Sequence, residues 1–267
     1  MSSSIRSCLR STIDALAYSG LWTAAAAGAL AWAAGLGSTG GVATPRLGVV
    51  CVLASAGTVV VYCLDRLRDV NRDAITSPAR TAFVSSNRRP LVALVAAASV
   101  VSLVAIWSLP ISVWGVCGAV LTLGLMHRRL KSSRLRTLAS VTTSWVAIVV
   151  GLPALVAGPD LRGGALLGTT CGIGLAIASN AIASDLRGAR FDATGAIRLR
   201  RARLAALASC ALCLMWPGVR AIALIGAATW ISVLFYRADE RYGLVILDGA
   251  LLLGALAAAL SMTAAAG

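Results

Sequence analysis

The chain alternates long apolar runs with short polar and basic segments. Glycine, proline and charged residues mark the breaks between the runs, for example at Gly37–Gly41, Pro110 and Pro159. Most runs approach the roughly 20 apolar residues that cross the hydrocarbon core of a membrane. The pattern predicts nine transmembrane helices, at residues 15–37, 47–64, 91–108, 110–127, 138–157, 165–184, 204–218, 220–236 and 244–264. The expected fold is therefore an all-α integral membrane protein.

The composition is that of a membrane protein. Hydrophobic residues make up 58% of the chain and charged residues 13%, and the mean hydropathy is +0.85. In soluble domains about a quarter of the residues are charged. Glycine and alanine are frequent in most runs, which allows helices to approach one another closely. We therefore expect a single compact transmembrane domain, residues 1–267, with nine helices around a central cavity.

The basic residues indicate the orientation of the chain. A net charge of +14 could favour binding to the phosphates of a nucleic acid, but the basic residues lie in short segments between apolar runs. With the N-terminus inside, 21 of the 24 lysines and arginines fall on the inner side, and only Arg46, Arg162 and Arg220 fall outside. This asymmetry is the positive-inside pattern. We expect a multi-pass protein of a bacterial cell membrane, with a cytoplasmic N-terminus and no nucleic-acid partner.

One polar segment between two runs concentrates acidic residues. Residues 65–80 read DRLRDVNRDAITSPAR and place Asp65, Asp69 and Asp73 four apart. In a helix, residues four apart lie on one face, so the three carboxylates would repel one another unless a cation lay between them. The whole chain has only ten acidic residues. This segment, hereafter the first motif, is therefore a candidate site at the inner surface of the membrane.

A second acidic pair follows the sixth apolar run. Asp185 and Asp192 lie on the same predicted side of the membrane as the first motif, again at the end of a transmembrane helix. This repetition predicts an internal repeat, with halves at residues 1–135 and 136–267. Mg²⁺ is commonly held by one or two carboxylates together with substrate phosphates, and arginine donates to phosphate oxygens and stabilises a departing anion. The two acidic clusters in an arginine-rich surface therefore suit a magnesium-bound diphosphate.

The first motif resembles the first aspartate-rich motif of the UbiA-type intramembrane prenyltransferases. The family motif runs N-D-x-x-D-x-x-x-D and in several members continues A-I-x-x-P-x-R. Here D-R-x-x-D-x-x-x-D-A-I-T-S-P-A-R fits without a gap from Asp65 to Arg80. Asp65 stands where the family has asparagine, and Arg66 stands where it has aspartate. The resemblance implies nine helices in two similar halves, with aspartate-rich motifs after the second and sixth helices.

Two further segments carry the resemblance. The second family motif has N-D and another acid seven residues later, and this chain reads S-D-L-R-G-A-R-F-D from Ser184 to Asp192, hereafter the second motif. Asn180 lies one helical turn before Ser184 and could supply the amide that the motif lacks. The segment H-R-R-L-K at residues 127–131 resembles the family's Y-x-x-x-R-L-K-R stretch. The topology extends the resemblance over the whole chain.

The resemblance implies an activity and the residues that carry it. The activity is Mg²⁺-dependent transfer of an isoprenyl group from a polyprenyl diphosphate to an aromatic or other lipophilic acceptor, on the cytoplasmic side of the membrane and among membrane lipid. The implied catalytic and metal-binding residues are Asp65, Asp69, Asp73, Asp185 and Asp192. The implied diphosphate-binding residues are Arg80, Arg129, Lys131, Arg187 and Asn180.

Two other functions stay open from the sequence. A UbiA-type terpene cyclase would ionise a prenyl diphosphate and let the cation close on its own chain, without a separate acceptor. A transporter or lipid-binding protein would need polar or charged residues at mid-span, along a path through the bundle. The mid-span positions here are nearly all Ala, Leu, Val, Gly and Ser, which favours the enzymes.

One acid within an apolar run is a further candidate. Asp248 lies four residues into the last predicted span. Ionisable residues inside a membrane are costly and commonly functional, but at this depth the Asp248 carboxylate could instead pair with Arg241. The sequence alone leaves both interpretations open.

Overall fold

The computed structural model describes residues 3–70, 74, 77–130, 133–186 and 193–266, with the backbone alone for residues 3–10, 127–130, 134 and 266. Throughout these described residues the chain forms helices, turns and short loops, and no strand. The all-α fold predicted from the apolar runs is thereby confirmed.

Twelve α-helices follow one another along the described residues. They are α1 (Ser3–Ser19), α2 (Leu21–Thr39), α3 (Leu47–Arg68), α4 (Pro78–Ser86), α5 (Arg88–Trp107), α6 (Ile111–Leu130), α7 (Arg134–Val146), α8 (Leu152–Ala157), α9 (Gly163–Ser184), α10 (Ala193–Met215), α11 (Ala223–Leu234) and α12 (Asp248–Ala266). A π-helical segment, Ala147–Gly151, joins α7 to α8, and a second, Tyr242–Leu247, leads directly into α12.

Six helical stretches in the described part of the chain are long and apolar enough to cross a membrane. They are Leu47–Arg68, Arg88–Trp107, Leu135–Asp160, Gly163–Ser184, Pro217–Leu234 and Tyr242–Ala265. A seventh candidate is the pair formed by Ser11–Ser19 and Leu21–Thr39, which bends by 68° at Gly20, if the pair counts as a single span. Each candidate lies where the apolar pattern predicts a span, which indicates a multi-pass membrane protein.

The remaining two predicted spans do not reach the length and composition of the others. The predicted span 110–127 corresponds to α6, whose apolar part ends at Met126 and is shorter than the other candidates. The predicted span 204–218 falls largely in α10, which carries four arginines in its first half, ahead of its apolar residues. Nine spans and a cytoplasmic N-terminus are therefore not confirmed.

Helix α2 lies at the centre of the bundle. Its sequence, LWTAAAAGALAWAAGLGST, is small and apolar on nearly every side, as expected for a helix surrounded by protein. A Cβ atom at Gly35 would meet Leu47 of α3, and one at Gly37 would meet Thr169 of α9, so these glycines permit close helix approach. The largest buried cluster joins α2 to α3, α9, α11 and α12. The first half of the chain thus packs on the second through α2.

The ends of α3 and α9 lie at the same end of this bundle. Arg66, near the end of α3, donates to Ala17 O, just before α2 begins. Asn180, near the end of α9, donates to Asp248, the first residue of α12. At the opposite end of the bundle, the N–H of Arg162 donates to a carbonyl near the end of α2 at 2.9 Å. Both motifs therefore follow helices that run toward the same end.

Candidate functional site

Two membrane-length helices end in the same way at this end of the bundle. α3 and α9 are each 22 residues long, and each is followed by an aspartate, Asp69 and Asp185. The N–H of Asp69 donates to Asp65 O at 2.9 Å, and the N–H of Asp185 donates to Ala181 O at 3.1 Å. A helix C-terminus already carries partial negative charge. An aspartate there adds charge of the same sign, so both ends favour a nearby cation.

The acids of the first motif have different surroundings. Asp65 is exposed on the last turn of α3, whereas Asp69 is only 5% exposed. α3 ends at Arg68, so the continuous helical face predicted for three acids covers Asp65 and Asp69, and Asp73 lies outside the described residues. The buried carboxylate of Asp69 is the acid of this motif that is most shielded from water among those described.

Arg66, at an acidic position of the family motif, binds the backbone of α1. Its guanidinium donates to Ala17 O at 3.0 Å and to Tyr18 O, and the residue is 5% exposed. These carbonyls belong to the last turn of α1, where backbone acceptors have no partner within the helix. Gly20 has a φ of 83°, which lets the chain turn beside the guanidinium. Arg66 thus anchors the bend between α1 and α2.

A small cleft lies between the end of α3 and α4. Arg66, Val70, Arg80, Thr81 and Val84 line it. The Thr81 hydroxyl is buried and has no hydrogen-bond partner among the described residues. Arg80 is close enough to Arg66 for their like charges to interact. Two guanidinium groups and a hydroxyl make this cleft electropositive, but it is too narrow to hold a water molecule, so an anion would bind here only after the side chains had moved apart.

The first turn of α4 positions Arg80 at this cleft. Pro78 begins the helix, at a position where its missing N–H costs no helical hydrogen bond. The backbone N–H of Arg80 donates to Glu240 Oε1 at 3.1 Å, so a carboxylate satisfies a donor that the helix leaves open. The Phe83 ring packs on Tyr18, with centroids 5.7 Å apart. α4 is therefore held by both α1 and the segment before α12.

The second motif is divided between an exposed acid and a buried amide. Asp185 is exposed and forms a salt bridge with Arg198 of α10. Asn180 is 7% exposed and accepts the Ser184 hydroxyl at 3.2 Å. The positive charge that balances Asp185 at the end of α9 is thus supplied by the side chain of Arg198. Asn180, rather than Asp185, is the residue of this region that reaches the interior of the bundle.

Asp248 joins the end of α9 to the start of α2 through a half-buried polar cluster. Its Oδ2 accepts the Thr23 hydroxyl at 2.7 Å, and its Oδ1 accepts Asn180 Nδ2 at 3.4 Å. The Asp248 charge also acts on Arg66, near the end of α3. We refer to Asp248, Thr23, Asn180 and Ser184 as the Asp248 cluster. This cluster links Ser184 of the second motif to the starts of α2 and α12.

Three polar residues near the site gain their importance only from the structure. Arg241, the alternative partner for Asp248, forms a salt bridge with Asp14 at 2.8 Å. Neither Thr23 nor Glu240 belongs to a motif, and no spacing in the sequence singles them out. The signals that were available from the sequence were the acid at position 248, inside an apolar run, and the amide one turn before the second motif.

Several predicted site residues lie outside the described part of the chain. Asp73, Lys131, Arg187 and Asp192 do so entirely, and only the backbone of Arg129 is described, within α6. Their roles stay predictions.

The end of α3 fits Mg²⁺ by the type of ligand it offers. Asp65 and Asp69 supply carboxylate oxygens one helical turn apart, at a helix end whose partial charge attracts a cation. Among the residues that the structure describes, no three histidine, cysteine, aspartate or glutamate side chains form a possible metal site. Mg²⁺ usually takes only one or two carboxylates and completes its shell with water and phosphate oxygens. The described acids are compatible with that mode of binding.

Comparison of the chain with models of known protein families, with curated proteins and with solved structures finds no match. The resemblance to the UbiA-type prenyltransferases therefore rests on the residues of the motifs and on the predicted topology.

Proposed function

We propose that the protein is an Mg²⁺-dependent membrane prenyltransferase, which moves an isoprenyl group from a polyprenyl diphosphate to an aromatic or other lipophilic acceptor. The observation that carries the proposal is the grouping of basic and acidic side chains at the end of α3. The segment that matches the family motif without a gap also supplies Arg66 and Arg80 to the cleft there, next to the buried Thr81 hydroxyl. The same segment brings the buried acid Asp69 to the end of α3.

The proposed orientation puts this site at the cytoplasmic end of nine transmembrane helices. The apolar half of α10 and the short apolar helix Ile111–Met126 would add two spans to the six or seven candidates. The distribution of lysine and arginine, 21 against 3, supports a cytoplasmic N-terminus. The end of the bundle that holds Asp69 and Asp248 then faces the cytoplasm, where a water-soluble diphosphate group is accessible.

Basic and polar side chains would bind the diphosphate. Arg80 and Thr81 donate to its oxygens from the cleft, and the buried amide of Asn180 contributes from the end of α9. The cations of the neighbouring loops, Arg129, Lys131 and Arg187, add positive charge. Donors that are fixed before the reaction stabilise the charge that develops on the leaving diphosphate.

The acids of both motifs would hold magnesium. Asp65, Asp69 and Asp73 are proposed for one ion, and Asp185 and Asp192 for another. When bound, Mg²⁺ would stabilise negative charge on the diphosphate as the C–O bond breaks. Asp185 would exchange its salt bridge with Arg198 for the metal, whereas Asp69 is already shielded from water.

The interior of the bundle has the apolar character that an isoprenyl tail and an allylic cation need, and because α2 fills its centre the tail would lie between α2 and the helices around it. Its helices present mainly alanine, leucine and valine, and an apolar interior excludes the water that would otherwise quench the cation. The rings of Tyr62 and Trp145 meet at a centroid distance of 6.3 Å, one helical turn from Arg66. Aromatic faces attract cations, and the Tyr62 ring already lies 5.7 Å from the Arg66 guanidinium carbon, so Trp145 is the ring of this pair that could stabilise an allylic cation.

Pyrophosphate release by the purified protein tests the proposal. Prenyl diphosphates of several chain lengths are supplied with Mg²⁺ or with EDTA. We expect release from at least one donor with Mg²⁺, little with EDTA, and loss of release in Asp69→Ala. Asp160→Ala is the matched control, because Asp160 is an exposed acid near the opposite end of the bundle. Absence of release at every chain length would overturn the proposal.

Product analysis separates a transferase from a cyclase of the same fold. A transferase yields a prenylated product only when a lipid extract or an aromatic acceptor is present. A cyclase yields a cyclic hydrocarbon or alcohol from the donor alone. We expect the acceptor-dependent product, and a cyclic product without acceptor would replace the transferase proposal with the cyclase.

A further inference from the structure

We infer that Asp248 is a positioning residue for the diphosphate site, which acts through Asn180 and Arg66 rather than by touching the substrate. This inference rests on the proposed function, since it concerns the same site. It adds a residue of the last helix to a site that the motifs confine to the segments after α3 and α9.

Asp248 lies in an environment that disfavours a carboxylate without partners. It belongs to the apolar candidate span Tyr242–Ala265, and its neighbours Leu247, Gly249 and Ala250 are all buried. An ionisable side chain inside a membrane is costly, and it typically faces the bundle interior and pairs with other polar groups. The two hydrogen bonds and the nearby guanidinium of Arg66 supply such partners.

The backbone around Asp248 holds the carboxylate in one position. The π-helical segment Tyr242–Leu247 precedes it directly, and π-helical turns are rare and frequent at functional sites. Trp22 Nε1 donates to Val245 O at 3.1 Å, and a Cβ atom at Gly249 would meet the Trp22 indole at 3.3 Å. The start of α12 is therefore locked against the start of α2.

The hydrogen bonds of the Asp248 cluster fix the orientation of the Asn180 amide. Nδ2 of Asn180 points to Asp248, so Oδ1 of Asn180 is left to accept the hydroxyl of Ser184, at the start of the second motif. Thr23 holds the other carboxylate oxygen of Asp248 at 2.7 Å. Loss of the carboxylate would free the amide to rotate away from its place at the end of α9.

Asp248 also acts on the cleft at the end of α3. Arg66 is buried there and is close enough to Arg80 for the two like charges to repel. The negative charge of Asp248 acts on Arg66 in the opposite sense. It therefore offsets part of the repulsion between the two guanidinium groups that line this cleft.

The test measures binding of inorganic pyrophosphate with Mg²⁺ to the purified full-length protein by titration calorimetry. Asp248→Asn keeps the size of the side chain and an oxygen acceptor for Thr23, but removes the charge. We expect its Kd for pyrophosphate to rise by about 10- to 100-fold, the loss typical of an outer partner of a metal site. Thr23→Val, which removes the hydroxyl and keeps the shape, should raise the Kd by a smaller factor.

The direction in which the Kd for pyrophosphate changes distinguishes a positioning role of Asp248 from a direct electrostatic effect of its charge on the bound anion. Removing a negative charge near an anion site should tighten anion binding through space. Weaker binding in Asp248→Asn therefore means that Asn180 and Arg66 have moved, and tighter or unchanged binding in both variants overturns the inference. Thr23→Val keeps the inference testable if Asp248→Asn does not fold.

A structural control separates positioning from general loss of stability. Ser209 Oγ donates to Gly172 O at 2.7 Å and joins α10 to α9 away from the site. Ser209→Ala should lower the unfolding temperature and leave the Kd for pyrophosphate unchanged. An equal rise in Kd in Ser209→Ala would overturn the inference.

Turnover of prenyl diphosphates by the same preparations distinguishes the two possible failures. If the wild-type protein is active and both variants bind pyrophosphate as it does, the positioning role fails and the proposed function stands. If the wild-type protein neither binds pyrophosphate nor turns over any donor, both fail.

Discussion

The ends of α3 and α9 are alike in local structure and different in their surroundings. Both helices have 22 residues and both are followed by an aspartate whose N–H bonds back into the helix. Asp69 is buried near a cleft lined by Arg66 and Arg80. Asp185 is exposed and already has a cation partner, Arg198. Similar helix ends have thus acquired two different environments.

This comparison indicates which end can bind a charged ligand more tightly. Charge interactions are stronger where water is excluded, so the shielded acid at α3 should contribute more to binding than the exposed acid at α9. At the end of α9 the buried group is the amide of Asn180, which Asp248 holds in place. We therefore expect the dependence of activity on Mg²⁺ to come mainly from the acids of the first motif. The region of the second motif should contribute to diphosphate binding mainly through Asn180.

The largest predicted effect is a difference in kcat/KM between the Asp69→Asn and Asp185→Asn variants. The Asp69 variant should lose at least about 100-fold in kcat/KM, the upper end of the loss for an outer metal partner, because a shielded ligand is removed. The Asp185 variant should lose less, because its carboxylate is exposed to water and interacts more weakly with a metal ion. Steady-state assays of pyrophosphate release measure both. Equal losses would show that the two helix ends contribute equally.

The next difference concerns stability at the end of α3. Arg66→Met keeps an apolar stem but leaves Tyr18 O without the Arg66 donor and Ala17 O with only the Gly20 N–H at 3.3 Å, which should lower the free energy of unfolding by about 1–3 kcal/mol. Arg68→Met is the matched control, since Arg68 is exposed on the same helix. Unfolding in mixed detergent micelles measures both, and equal stabilities would contradict the anchoring role of Arg66.

The smallest predicted effect is at the end of α9. Arg198→Ala removes an ion pair whose acid is more than half exposed, so stability should fall by less than about 1 kcal/mol. Because the variant frees Asp185 from a competing cation, the Mg²⁺ concentration for half-maximal activity should fall or stay constant. A higher Mg²⁺ requirement, measured by metal titration, would show that Arg198 itself belongs to the site.

The apolar pattern predicts most of the fold, because each membrane-spanning helix requires a long run of apolar residues that can be recognised from its own segment of sequence. It fails where the structure depends on contacts between distant segments. The predicted span 15–37 crosses the bend at Gly20, which is held by Arg66 of another helix. The arginines within α10 and the short apolar part of α6 keep the count of nine spans from being confirmed.

The site divides in a similar way between what the sequence predicts and what it does not. Motif spacing predicts Asp69 and Arg80 together, because both lie in one continuous segment. Motif spacing makes Asp185 equivalent to the acids of the first motif. It does not predict the salt bridge between Asp185 and Arg198, because that bridge depends on how α10 packs against the end of α9. Thr23 enters the site only through the packing of α2 on α12, and no pattern in the sequence contains that information.

The most direct test of the central claim is the rate of pyrophosphate release from a panel of prenyl diphosphates, with the wild-type protein and Asp69→Ala measured side by side in Mg²⁺ and in EDTA. We expect the wild-type protein to release pyrophosphate with Mg²⁺ and not with EDTA, for at least one chain length, and Asp69→Ala to lose this release. Release that persists in EDTA or in Asp69→Ala, or no release from any donor, would contradict it.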